Sequence, residues 1–123
     1  MTDRKHTYRD YVQVFIPTKD KHGRPLSKVE VAIWQDLVAG VFRRFVEGSY
    51  TSPYYAAKGD FLASSGEWIS EPIFIIKAFA PRKACRELID ALENEVVNQM
   101  GVALRQESVA LESSLEGLAV YET

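Results

Sequence analysis

The stretch from Trp68 to Phe79 constrains the fold of this chain more than any other. In an extended conformation Phe74, Ile76 and Ala78 fall on one side, and Ile73, Ile75 and Phe79 on the other. A strand that is apolar on both sides is one whose two sides are both covered. It is bracketed by Ala63-Ser64-Ser65-Gly66, a hairpin-turn sequence, and by Pro81, which suits the first turn of a helix.

The flanking segments alternate in kind. Val12, Val14 and Ile16 point one way and Tyr11, Gln13 and Phe15 the other, a strand with one strongly apolar face that Pro17 ends. After a charged loop with His22-Gly23 at its middle, Ser27 and Glu30 fit a capping box: the serine hydroxyl caps the glutamate N–H and the carboxylate reaches back. The helix that follows carries Ile33, Trp34, Leu37, Val38, Val41, Phe42 and Phe45 as a broad apolar stripe, with Gly48 as its stop. Tyr50, Tyr54, Tyr55, Phe61 and Leu62 suggest a further strand, which Pro53 and Gly59 weaken to an irregular or edge strand. Cys85, Leu88, Ile89, Leu92, Val96 and Met100 form the buried stripe of a second helix capped by Gly101. Glu107 to Leu111 is a final strand, and Leu118 to Tyr121 an extra short strand or a docking tail.

The order β-α-β-β-α-β predicts an α+β ferredoxin-like sandwich, a four-stranded antiparallel sheet with two helices on one face. It forms a single domain over residues 8–121, preceded by a flexible N-terminus at 1–7. One sheet face is then open, yet Tyr11, Phe15 and an apolar side of the central strand point there. An open apolar face marks an interface or a ligand pocket, and a second copy is its simplest cover. A homo-oligomer follows, a dimer first.

Charge and motifs exclude several classes. The net charge of -2 in 123 residues argues against a protein that lives by neutralising phosphates. The central strand also lacks the aromatic pattern with which RNA recognition motifs stack bases, and Lys58-Gly59-Asp60-Phe61 echoes it only faintly. The lone cysteine, Cys85, makes no internal disulfide and reads as a small buried apolar residue. His6 and His22 stand at no metal-ligand spacing from it, so no metal and no cofactor are predicted. Neither a nucleophile elbow nor a phosphate loop is present. The N-terminus has charge without an apolar core behind it, and no run is long enough to span a bilayer, so a cytoplasmic protein is expected.

Short motifs carry a resemblance. Val14-Phe15-Ile16-Pro17, Gly23, Ser27, Trp34, Arg44-Phe45, Gly48, Gly66-Glu67-Trp68, Glu71-Pro72 and Gln106-Glu107-Ser108-Val109 together resemble a family of small bacterial domains of unknown function. The resemblance spans about residues 11–112. The chain departs from it in a longer stretch between Ser49 and Ser65 and in the tail after Glu112. The resemblance implies the ferredoxin-like fold and brings no activity with it.

Glu71 and Glu107 are the residues with most chemistry to offer. Glu71 shares a strand side with Ile69, Ile73 and Ile75, and Glu107 shares one with Val109 and Leu111. A carboxylate among apolar neighbours has a raised pKa and can exchange protons or hold a polar ligand. The structural alternative is that each pairs with an arginine such as Arg44 or Arg105. A ligand-binding site is therefore expected from Trp68, Glu71 and Glu107, with Arg44 or Tyr55 as its wall. The leading functional expectation is a non-enzymatic binding or assembly module acting as a homo-oligomer. The other is a small enzyme of the dimeric α/β-barrel type acting on a small apolar substrate.

Overall fold

The computed structural model of the chain describes residues 2–3, 6–51 and 57–123. Its elements run β1 (Tyr11–Ile16), α1 (Lys28–Arg43), β2 (Tyr50–Thr51), β3 (Ala57–Leu62), β4 (Trp68–Phe79), α2 (Arg82–Glu95), α3 (Val97–Ala103), β5 (Ser108–Ser113) and β6 (Gly117–Glu122). All strand pairs are antiparallel, in the order β2-β4-β1-β5-β6, with β3 pairing along the N-terminal half of β4. The long strand β4 thus joins two registers: Phe74 to Phe79 pair with β1, and Trp68 to Ile73 pair with β3.

The three helices cover one face. Val12, Val14 and Ile16 of β1, Ile76 and Ala78 of β4, and Val109 and Leu111 of β5 meet Val38, Phe42, Leu88, Leu92 and Met100 in one continuous core. Each fully buried side chain of this size contributes about 1.5–3 kcal/mol by leaving water. The capping box is formed as the residues require: Ser27 Oγ accepts from the Glu30 N–H at 3.1 Å, and Glu30 Oε2 accepts from the Ser27 N–H at 3.0 Å. Cys85 is completely buried, and burial pushes its thiol pKa up.

The four-stranded, two-helix ferredoxin-like sandwich expected from the sequence is corrected at its C-terminal half. The tail is a full edge strand. Gly117 takes a φ of 75° at the turn after Ser113, a left-handed conformation that glycine adopts without strain, and β6 then pairs with β5 along its whole length. Tyr121, opposite Val109, packs against the core while its hydroxyl donates to Glu93 of α2. The second helix also does not stop at Gly101. It breaks at Val96 and resumes as α3 through Ala103. Gly101 serves the packing instead: a Cβ there would stand 1.9 Å from Cγ2 of Thr123, at the end of β6. The sheet is curled into a half-barrel.

Two smaller expectations also change. Helix α1 ends at Arg43, ahead of Gly48. Its buried face is Val31, Val38, Val41 and Phe42, while Ile33 and Leu37 are half exposed. The helix carries a second apolar row at Val29, Ile33 and Leu37, four residues apart, and spacing alone does not choose between the rows.

Candidate functional site

The face of the sheet opposite the helices is uncovered among the described residues, and it is floored by apolar side chains. Strand alternation places Phe15 beside Ile75, with Ile73 and Ala110 close by, and Leu118 and Val120 of β6 extend the surface outward. A cleft of about 280 Å³ opens here, walled by Phe15, Phe61, Glu71, Ile73, Gln106 and Glu112. That is near the lower limit for small-molecule sites, and this mixture of apolar floor and a few polar groups is typical of them.

Glu71 is the one buried carboxylate of this cleft. Only 4% of it is exposed, although it sits on the open side of β4 between Ile69 and Ile73. Burial, which penalises the charged form, raises its pKa to about 6, against the opposing hydrogen bonds from the Lys19 and Thr18 backbone. The loop after β1 supplies that burial. Pro17 ends the strand, the Thr18 hydroxyl donates to the carbonyl of Pro72, and the Lys19 N–H donates to Glu71 Oε2 at 2.7 Å. The next peptide unit is held as well: Gln106 Nε2 donates to the Lys19 carbonyl at 2.7 Å and to that of Leu104 at 2.8 Å. Asp20 then folds the rest of the loop over itself, accepting from the N–H groups of His22 and Arg24.

Gly59 faces Glu71 across the β3–β4 ladder. A side chain at this position would project into the cleft, and a Cβ would already stand 3.2 Å from Cγ2 of Ile73. At the other end, Glu112 accepts from the Tyr11 hydroxyl at 2.6 Å, a bond that pushes the tyrosine pKa up and keeps it a donor.

The residues expected to form a site are only partly brought together. Glu71 lies in the cleft. Glu107 lies just ahead of β5 and accepts from the N–H and hydroxyl of Ser64 in the β3–β4 turn, which holds its pKa below the usual carboxylate range. Neither glutamate pairs with Arg44 or Arg105. Arg44 makes a two-pronged ion pair with Glu95 of α2, and Arg105 bonds Glu30 of α1. Trp68 is 70% exposed at the end of the β3–β4 hairpin, opposite Leu62, and its strand position turns it away from the Glu71 face. Tyr55 lies outside the described residues, as does Tyr54.

Phe15 was expected on the open apolar face but not named as a site residue, and Gln106 and Glu112 were not singled out as site residues from the sequence. Phe15 carried a usable signal, an aromatic on the polar side of an otherwise alternating strand. Pro17 and Ser108 also line the cleft. No group of metal-binding side chains occurs among the described residues. None of the described helices is long and apolar enough to cross a membrane. A larger hollow of about 550 Å³ lies between the end of α1 and the start of α2, lined by Phe45, Gly48, Phe79 and Pro81, but it contains no buried ionisable group.

No family model matches the chain, and no curated protein does. Among solved structures it is similar to a phage SAM lyase in complex with S-methyl-5'-thioadenosine, at 16% identity and a TM-score of 0.66. It is also similar to a phage SAM lyase in the apo state, at 15% identity and a TM-score of 0.65. Each match covers 100% of this chain and 96% of the other. The likeness therefore includes β6 and α3, and it is the fold of these proteins, rather than the ferredoxin-like sandwich, that the chain adopts.

Proposed function

We propose that this chain is an enzyme that binds S-adenosylmethionine in the open-face cleft and cleaves it as a lyase to S-methyl-5'-thioadenosine. The observation that carries the reading is the buried carboxylate of Glu71 at an apolar cleft, on a fold shared over its full length with an enzyme of that activity. The non-enzymatic assembly module gives way to the enzymatic alternative, with a charged substrate in place of an apolar one.

The chemistry suits the cleft. Release of S-methyl-5'-thioadenosine requires that the bond between sulfur and the γ-carbon of the methionyl group breaks, with the electron pair staying on sulfur. A lyase adds no water, so the new bond to that carbon comes from within the substrate. Its own carboxylate oxygen attacks the γ-carbon and closes a five-membered lactone. Every atom is accounted for, and no proton need be supplied. The carboxylate and the sulfonium neutralise one another as the bond forms. A reaction that loses charge is slowed by water, which solvates the separated ions, and is favoured over an apolar floor such as Phe15, Ile73 and Ala110. Phe15 and Phe61 offer faces for the sulfonium and for the purine. The Glu71 carboxylate, fixed by the Lys19 N–H, offers an acceptor to the nucleoside hydroxyls or amine. Self-association over the open face, the remaining expectation from the sequence, would further exclude water.

Calorimetric titration with S-methyl-5'-thioadenosine tests the reading. Saturable binding that Phe15→Ala abolishes without unfolding the protein is expected. Absence of binding by the intact, folded wild type would overturn it.

A further inference from the structure

We propose that Lys77, Gln13 and Glu112 form the receptor for a zwitterionic α-amino-acid group, the end of S-adenosylmethionine that S-methyl-5'-thioadenosine lacks. The assignment rests on the reading above and specifies the half of the site that the nucleoside does not occupy.

Strand register brings the three residues together. Gln13 of β1 is paired with Lys77 on one side and with Glu112 on the other, so the three form one row across β4, β1 and β5. Alternation puts the row on the open face, one step beyond Phe15 and Ile75. The neighbouring positions on that face, Phe15, Ile73, Ile75 and Ala110, are apolar. A single polar row reading cation, amide, carboxylate is therefore a departure that the core does not require.

The two charges do not neutralise each other. Nζ of Lys77 stands 4.4 Å from the centroid of the Tyr11 ring and 5.0 Å from that of Phe79. Glu112 instead takes the Tyr11 hydroxyl at 2.6 Å. Tyr11 thus holds an ammonium on its ring and a carboxylate on its hydroxyl, and the two backbones lie two strand spacings apart, about 10 Å. Opposite charges held apart over a central amide match a group that carries its own carboxylate and ammonium on one carbon. Lys77 would take the carboxylate, Glu112 the ammonium, and Gln13 has both a donor and an acceptor to offer between them. Glu112 also walls the cleft, which makes the row continuous with the nucleoside end.

The test compares two ligands by calorimetry on the whole chain. S-adenosylhomocysteine keeps the amino-acid group and, lacking a sulfonium, is not consumed; S-methyl-5'-thioadenosine has no such group. Wild type is expected to bind the first more tightly. Lys77→Gln and Glu112→Gln should each weaken S-adenosylhomocysteine about tenfold or more, the size of a lost charge-assisted bond, while in Lys77→Gln, which lies outside the cleft wall, S-methyl-5'-thioadenosine stays within about twofold. Lys77→Arg should keep most of the affinity, and circular dichroism checks each fold. Equal weakening of both ligands, weakening of neither, or a wild type that does not distinguish them would overturn the assignment and leave the lyase reading intact. A wild type that binds neither ligand would overturn the lyase reading and the assignment together.

Discussion

Lys19 is fastened to β4 at both ends of its residue: its backbone N–H donates to the Glu71 carboxylate at 2.7 Å, and its Nζ donates to the carbonyl of Ser70 at 2.9 Å. A loop residue and a buried acid are thereby locked into one unit at the mouth of the cleft. Gln106 grips the carbonyl of the same residue. The chemistry proposed for the cleft depends on this unit, because it holds a carboxylate within an apolar surface.

Glu71→Gln removes the charge and keeps the shape, since the amide oxygen can still accept the Lys19 N–H. The folded pKa of about 6 lies above the ordinary 4.5, so between those values the folded state binds more proton than the unfolded state. Stability contributed by Glu71 is therefore complete below about pH 4.5 and falls as pH rises through 6, a loss of about 2 kcal/mol. The variant should match wild type in thermal unfolding at pH 4 and exceed it at pH 8, while turnover of S-adenosylmethionine falls about tenfold to a hundredfold, the size of a lost charge-assisted hydrogen bond. A variant less stable than wild type at pH 8 would mean that the burial of Glu71 has been misjudged.

Gly59→Val tests the cleft by filling it. Valine is the better strand residue, and its Cβ needs Ile73 to move only by tenths of an ångström. The fold should survive, by circular dichroism, and affinity for S-methyl-5'-thioadenosine should fall at least about tenfold. Unchanged affinity would place the ligand elsewhere.

Arg44→Ala should leave ligand affinity unchanged. Its guanidinium is half exposed and committed to Glu95, and both partners belong to the helical layer. Exposed pairs of this kind contribute little. A loss of binding in titration would return Arg44 to the site.

Native mass spectrometry is expected to give a multiple of 13.9 kDa. The open face presents Leu118 and Val120 at about 60% exposure on β6, apolar side chains that a second copy would cover. A monomer at micromolar concentration would remove self-association from the account.

Local chemistry was legible in the sequence where it is decided locally. Ser27 and Glu30 specify their own cap, and Gly66 its own turn at a φ of 88°. Tertiary competition decided the rest. Helix α1 has two apolar rows, and only the sheet beneath it selects Val31, Val38 and Phe42 over Val29, Ile33 and Leu37. Gly101 looks like a stop until Thr123 is seen against it. Glu71 could be singled out from its apolar neighbours, but its partner is a backbone N–H, which no side-chain pattern reveals. Lys77, Gln13 and Glu112 are far apart in sequence and meet only through register.

The central claim is tested most directly by incubating the purified chain with S-adenosylmethionine in ¹⁸O-labelled water and weighing both products. The proposed cleavage gives S-methyl-5'-thioadenosine in equal amount to substrate lost, a four-carbon partner without ¹⁸O when quenched early, and both products more slowly from Glu71→Gln. Label in the four-carbon product from the first turnover would mean hydrolysis, and intact substrate in the presence of folded protein would contradict the proposed activity outright.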